Sequence, residues 1–163
     1  MVGSLRMRLA LFQPDIPQNL GAAIRLCACL GVPLDVIEPC SFPLDDRTLK
    51  RAALDYQPLA SLARHDGWTS FLAQPARADG RLVLLTTSGA GPLHDFAFAP
   101  GDTLLMGRES AGVPPQVHAR AQARLFIPMA PGARSMNIVT AAAIALGEAL
   151  RQTRGFPAAT TAE

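Results

Sequence analysis

Two short stretches of uninterrupted apolar residues restrict the folds that this chain can adopt. They are LVLL within Leu82–Thr86 and TLLM at Thr103–Met106. Strands that are apolar on both faces are usually buried on both faces, as in parallel sheets covered by helices. Strand-like runs alternate with helical patterns along the rest of the chain. The sequence therefore predicts an α/β fold with a mostly parallel sheet flanked by helices.

The remaining elements follow from the same alternation. The predicted strands are Met7–Phe12, Leu34–Glu38, Leu82–Thr86, Thr103–Met106 and Leu125–Pro128. The predicted helices are Gln18–Leu30, Asp46–Leu54, His65–Leu72, Pro115–Ala121 and Met136–Thr153. A chain of 163 residues is long enough for one core. We expect a single domain over residues 1–163, with residues 1–6 as an N-terminal extension and 158–163 as a flexible tail.

Several classes of protein are disfavoured by what the sequence lacks. No apolar run is long enough for a membrane span, and the odd number of cysteines fits a reducing compartment, so we expect a cytoplasmic protein. The cysteines and histidines lack metal-ligand spacing, and we expect no metal. His94 stands where a dinucleotide fingerprint needs its third glycine, and Ser110 has no glycine two residues before it, which argues against an oxidoreductase and a hydrolase.

Ligands of parallel α/β sheets bind beyond the carboxyl ends of the strands, and three such stretches carry unusual residues. The first is QPDIPQNLGAAIRLC, with Asn19 and Arg25 near the start of a predicted helix. Six residues turn a helix by about 240°, so these two side chains need not share a face. An equally simple interpretation is that Asn19 caps the helix and that Arg25 is a solvated side chain.

The second stretch is LLMGRESAGVP, in which Gly107 and Gly112 flank Glu109 after a buried strand. Glycines allow the backbone to approach a ligand closely, and the carboxylate can accept hydrogen bonds from it. A turn with a surface glutamate is the alternative.

The third stretch, LFIPMAPGARSMNIVTAAAIAL, places a proline-broken loop before a helix of small residues. Ser135 or Asn137 could cap this helix, whose first N–H groups are available to a ligand. Capping explains one of these residues but not the whole segment.

Together the three stretches resemble the SPOUT methyltransferases, and among them the small tRNA 2′-O-methyltransferases of the wobble nucleotide, the TrmL (YibK) type. The residues that carry the resemblance are IPQNLGAAIRLC, IEPCSFPLDDRTLKRAALDY, GRESAGVP and FIPMAPGARSMNIVTA. The resemblance covers about Met7 to Pro157 and implies a deep trefoil knot formed from about Leu82 to the last helix.

The resemblance also implies that the protein uses S-adenosyl-L-methionine to methylate a ribose 2′-hydroxyl of tRNA. The cofactor would be bound by three loops, at Leu85, Thr86, Gly107, Glu109, Ile127, Met129, Ser135 and Met136. The catalytic residues would be Arg25, Ser135, Asn137 and Glu109. Relatives commonly have Tyr-Glu where this chain has Gly147 and Glu148, which puts any role of that tyrosine in doubt.

Members of the family resembled are homodimers, in which Arg25 of one subunit would reach the site of the other. The anticodon arm of tRNA would contact Asn19, Arg25, Arg47, Lys50, Arg51 and Arg134. Arg47, Lys50 and Arg51 have helical spacing and also fit an ordinary solvated face. The alternatives are methylation of another tRNA position or of ribosomal RNA, and a non-catalytic RNA-binding protein with the same fold.

Overall fold

The computed structural model describes residues 5–53, 61–89 and 91–159. Its strands are β1 (Arg8–Phe12), β2 (Leu34–Ile37), β3 (Leu62–His65), β4 (Leu82–Leu85), β5 (Gly91–Pro92), β6 (Thr103–Met106) and β7 (Ala123–Phe126). Its α-helices are α1 (Pro17–Leu30), α2 (Asp46–Ala53), α3 (Trp68–Leu72), α4 (Pro75–Ala78), α5 (Pro115–Arg120) and α6 (Ile138–Thr153). A short 3₁₀ helix covers Leu93–Asp95.

The seven strands form one sheet in the order β3-β2-β1-β6-β4-β7-β5, and every recorded pair of neighbours is parallel. The helices lie on both faces. Leu9 and Leu11 of β1 pack in a cluster with α1, α2 and α6, whereas Ala10 and Phe12 pack in a second cluster with α3 and α5. Alternate residues of one strand therefore enter two cores, which confirms the predicted α/β architecture.

The loops that follow β4, β6 and β7 lie side by side. These strands are adjacent in the sheet, in the order β6-β4-β7, and all point in the same direction. Strands β4 and β5 both precede β7 in the sequence, yet β7 lies between them in the sheet. Three loops that are distant in sequence consequently meet at the carboxyl ends of these strands.

Strand β3 corrects one prediction, because the helix predicted over His65–Leu72 exists but its predicted start at His65 is wrong. Residues 62–65 form the edge strand, and a helix begins only at Trp68. The His65 side chain is buried, and its Nε2 lies 2.9 Å from the fully buried carboxylate of Asp35, which also accepts two hydrogen bonds from Arg8. This tertiary contact, unlike local helix propensity, favours an extended chain at His65.

Smaller differences concern where elements begin and end. Strand β7 begins two residues before the prediction, at Ala123, and the last helix begins at Ile138 rather than Met136. The short elements α4 and β5 were not predicted. Leu54, the predicted end of α2, lies outside the described residues, as do residues 1–4 and 160–163 of the predicted extension and tail. No helix in the described ranges is long and apolar enough to cross a membrane.

Candidate active site

A cavity of about 920 Å³ opens at the carboxyl ends of β4, β6 and β7. Its walls are the loops after these strands together with the first turns of α1 and α6. The volume lies in the range of small-molecule and cofactor sites, about 300–1,000 Å³. The cavity therefore occupies the position at which parallel α/β sheets bind ligands.

The structure brings all the predicted cofactor-binding residues together in this cavity. Its lining includes Leu85, Thr86, Gly107, Glu109, Ile127, Met129, Ser135 and Met136. Asn19 and Asn137 line it as well. Apolar side chains and backbone supply most of the wall, and Arg108 and Glu109 are the charged residues in it.

A chain of side-chain hydrogen bonds joins three segments at the cavity. The Nδ2 of Asn19 donates to Oε1 of Glu109 across 3.1 Å, and the Nδ2 of Asn137 donates to Oδ1 of Asn19 across 3.0 Å. The other Glu109 oxygen accepts the backbone N–H of Asp15 at 3.1 Å. These bonds fix the start of α1, the loop after β6 and the start of α6 relative to one another.

Of the two asparagines proposed as helix caps, Asn19 for α1 and Asn137 for α6, only Asn137 has that role. Oδ1 of Asn137 accepts the backbone N–H groups of Val139 and Thr140 at 2.9 and 3.2 Å, so Asn137 is the N-cap of α6. Helix α1 instead begins after Ile16, which makes no side-chain cap, and Asn19 lies within its first turn. The interpretation of Asn19 as a helix cap is therefore wrong.

A tight loop holds Glu109 in place. The backbones of Arg108 and Gly112 exchange two hydrogen bonds of 2.9 Å, and Gly112 has a positive φ of 62°. A Cβ on Gly107 would lie 2.8 Å from the Gly112 backbone, so only glycine fits this close approach. Glu109 is half-buried and hydrogen-bonded rather than a surface glutamate on an open turn.

Asp15 shapes the electrostatics of this loop, although the sequence did not single it out. Its carboxylate accepts a hydrogen bond from the Ser110 hydroxyl, and its backbone carbonyl accepts one from Ser41 at 3.0 Å. Burial and the neighbouring Asp15 carboxyl raise the pKa of Glu109. Hydrogen bonding to Glu109 and Ser110 lowers the pKa of Asp15. A carboxylate placed directly after a strand, as in QPDIP, is the signal that could have identified it.

None of the predicted RNA-binding basic residues lines this cavity. Arg25, Arg47 and Arg51 line a second cavity of about 730 Å³ between α1 and α2, which shares no lining residue with the first. Lys50 is exposed on α2 and does not line the second cavity, and Arg134 is exposed on the loop before α6. Within one chain, Arg25 therefore lines a different cavity from Ser135 and Asn137.

The sequence model of the SpoU rRNA Methylase family matches residues 6–147 of the chain. The chain belongs to this family. It is 56% identical over 144 residues to a tRNA (cytidine(34)-2′-O)-methyltransferase of Beijerinckia indica, and the match covers 88% of the chain and 90% of that relative.

Two solved structures have a similar fold. One, from a study of 2-OH methylation of C/U34 on tRNA, is 42% identical with a TM-score of 0.83, and the match covers 92% of the chain and 97% of that protein. The second is the SpoU methyltransferase AviRb of Streptomyces viridochromogenes in complex with the cofactor AdoMet. It is 27% identical with a TM-score of 0.81, and the match covers 93% of the chain and 62% of AviRb.

Proposed function

We propose that this SpoU-family protein is a tRNA (cytidine/uridine-34 2′-O)-methyltransferase that takes its methyl group from S-adenosyl-L-methionine. The reaction would modify the ribose 2′-hydroxyl of the wobble nucleotide. The observation that carries the proposal is the Glu109–Asn19–Asn137 network at the mouth of a cofactor-sized cavity, in a chain 56% identical to a methyltransferase of tRNA cytidine 34. A tRNA substrate agrees with a cytoplasmic protein.

The residues of the first cavity fit S-adenosyl-L-methionine. Leu85, Ile127 and Met129 provide apolar surface and backbone groups for the adenine, and Met136 can cover it. The tight Gly107–Gly112 loop brings backbone close to the ribose and methionine parts. Arg108 has a half-buried side chain whose Nε makes no hydrogen bond within the described chain, so a polar ligand group could still be accommodated beside it.

When bound, the cofactor supplies an activated methyl group on a sulfonium, and the residues of the chain have to align the acceptor with it. Ser135 offers a hydroxyl at the cavity, and Asn137 is held rigidly by α6 and Asn19. Glu109 anchors Asn19 and the loop after β6. Alignment of two reactants is worth about 7–11 kcal/mol, so positioning by these residues can supply much of the rate.

The proposed enzyme is a homodimer in which Arg25 serves the site of the partner subunit. Within one chain Arg25 lines the second cavity, where its Nη1 donates to the carbonyl of Ala52 at 3.2 Å. An arginine guanidinium stays protonated in proteins, so it can orient an RNA phosphate and stabilise the developing 2′-alkoxide, but it is a poor base. Arg134, exposed before α6, would contact the RNA backbone.

A trefoil knot is part of the proposed fold. Its support is the insertion of β7 between β4 and β5, after the chain has already visited β6 on the far side of β4. The loops of such a knot, before and after β7, are those that line the first cavity.

The decisive experiment is transfer of a radiolabelled methyl group to total tRNA, followed by mapping of the labelled nucleotide. We expect label on the 2′-oxygen of nucleotide 34. Label at another tRNA position or in ribosomal RNA would replace the proposed substrate, and ribosomal RNA therefore belongs in the assay. RNA binding without any transfer would support the non-catalytic alternative.

A further inference from the structure

The second cavity combines three positive side chains with an aromatic ring. Arg25 comes from α1, Arg47 and Arg51 come from α2, and the ring belongs to Phe42 in the segment before α2. The rest of the lining is uncharged and consists of Pro17, Gln18, Gly21, Pro43, Thr48 and Ala52. None of the lining residues is acidic, so the charged side chains of the lining are all positive.

The arginines of this cavity are not neutralised by ion pairs in the part of the chain that the structure describes. The recorded ion pairs involve Arg8, Arg64, His65, Arg81, His94 and Arg151 as the basic partners. The nearby carboxylate of Asp45 accepts the backbone N–H of Thr48 at 2.7 Å, and the charge of Arg47 contributes to lowering its pKa, but the two side chains form no recorded ion pair in the described ranges. Three guanidinium groups around one space favour an anionic ligand.

Helix α2 is fixed closely enough to α1 for the cavity to have a defined shape. Gly21 allows this contact, because a Cβ at this position would lie 2.7 Å from the carbonyl oxygen of Ala52. Arg47 and Arg51 are four residues apart and therefore lie on one side of α2. Lys50 carries the same charge but is outside the cavity.

We propose that the second cavity binds one nucleotide of the RNA strand that carries the methylated nucleotide. Arg47 and Arg51 hold its phosphate, and Phe42 stacks on its base. A ring can stack only on a base that has left its own stack, so the cavity selects single-stranded RNA such as an anticodon loop over a duplex. This inference rests on the proposed function, and adds an RNA subsite that is separate from the methyl-transfer cavity.

The test measures binding of an anticodon stem-loop RNA by fluorescence anisotropy over a series of KCl concentrations. We expect Arg47→Gln and Arg51→Gln each to weaken binding and to make the salt slope shallower by up to about 0.7, the value for one phosphate contact of single-stranded RNA. Phe42→Leu should weaken binding about tenfold and leave the salt slope unchanged, because stacking does not release counterions. Arg120→Gln, at an exposed site on α5, is the matched control and should change neither quantity.

Folding is monitored separately, because Phe42 also packs against the core. Each variant should bind S-adenosylhomocysteine like the wild type in calorimetry, since the two cavities share no residue. Arg51→Lys should keep most of the salt slope but bind more weakly, because lysine lacks the planar fork.

Two results would overturn the subsite. Wild-type affinity and slope for both arginine variants would exclude the phosphate contact, and wild-type affinity for Phe42→Leu would exclude stacking. Neither result would affect the proposed function, which fails instead if the wild-type protein transfers no methyl group to tRNA.

Discussion

Asn137 donates a 3.0 Å hydrogen bond to the side-chain oxygen of Asn19, a residue 118 positions earlier in the chain. The oxygen of the same Asn137 amide caps α6 by accepting two backbone N–H groups. One side chain thus begins the last helix and also joins it to the first. Its helix-capping role and its role in the cavity can be separated, because they use different atoms.

Substitutions of Asn137 should separate stability from activity. Asn137→Ala loses the cap and should lower the free energy of unfolding by about 1 kcal/mol in urea denaturation. Asn137→Asp keeps the capping oxygen and should restore most of that stability. It should nevertheless transfer methyl groups slowly, because a carboxylate cannot donate to Asn19. Full activity of Asn137→Asp would show that the bond to Asn19 is dispensable.

Two glycine-to-alanine changes should have opposite effects. Gly107→Ala places a Cβ 2.8 Å from the Gly112 backbone, and overpacking of this kind costs about 1–3 kcal/mol. We expect it to weaken S-adenosylhomocysteine binding about tenfold in calorimetry. Gly147→Ala is the control on α6, where an added Cβ meets nothing within 4 Å. It should raise the stability by about 0.5–1 kcal/mol, because alanine favours a helix. Unchanged binding by Gly107→Ala would contradict a role of this loop in cofactor binding.

The acid limb of the pH–rate profile should depend on Asp15. Burial, together with the Asp15 carboxyl, raises the pKa of Glu109 above its usual value near 4.5. Methyl transfer should therefore decline as the pH falls through this raised pKa, since protonated Glu109 no longer accepts both hydrogen bonds as a carboxylate. Asp15→Asn should move the decline to lower pH. Single-turnover rates from about pH 4, near the ordinary carboxyl pKa values, up to about pH 8 would measure the shift. Coincident profiles of the two proteins would exclude the coupling.

The contribution of Glu109 to folding stability should change with pH in the opposite direction to the rate of methyl transfer. A pKa that is higher in the folded than in the unfolded state means that proton binding favours folding. This contribution is fully present below the unfolded pKa and is lost as the pH rises through the folded pKa. Asp15, whose pKa is lowered from about 3.8, stabilises the fold above that pH and loses its contribution on further acidification. Urea denaturation of Asp15→Asn and the wild type at several pH values would detect both effects.

Mixed dimers can test where Arg25 acts. Arg25→Ala and Asn137→Ala proteins should each have little activity alone. If Arg25 serves the partner, a random mixture should regain about one quarter of the wild-type rate, since about half of the dimers then contain one complete site of two. If Arg25 acts within its own subunit, no mixed dimer contains a complete site, and the mixture should stay inactive.

The buried strands and long helices were predictable because their own residues determine them. Strand β4 is apolar throughout, and α1 and α6 have long helical patterns. Strand β3 was missed because its sequence, LARH, shows no apolar run. His65 is buried there beside Asp35 of the neighbouring strand, whose carboxylate lies 2.9 Å from its Nε2. Such a contact depends on strand order and register, which local patterns do not contain.

The candidate site was predictable as a set of loops but not as a network. The resemblance assigned eight cofactor-binding residues, and the structure places all of them around one cavity. The bond between Asn19 and Glu109 spans 90 positions and depends on how α1 meets the loop after β6. Asp15 contributes through its backbone N–H as well as its carboxylate, and residue type alone does not reveal a backbone contact.

The insertion of β7 between β4 and β5 also affects the order in which the protein is completed during synthesis. Residues 123–126 must leave the ribosome before β5 can join the sheet, because β5 pairs with β7, and the loop of residues 127–137 emerges later still. A nascent chain that ends before β7 lacks the strand with which β5 pairs, and it lacks one wall of the first cavity. The first cavity is therefore complete only when nearly all of the chain has been translated.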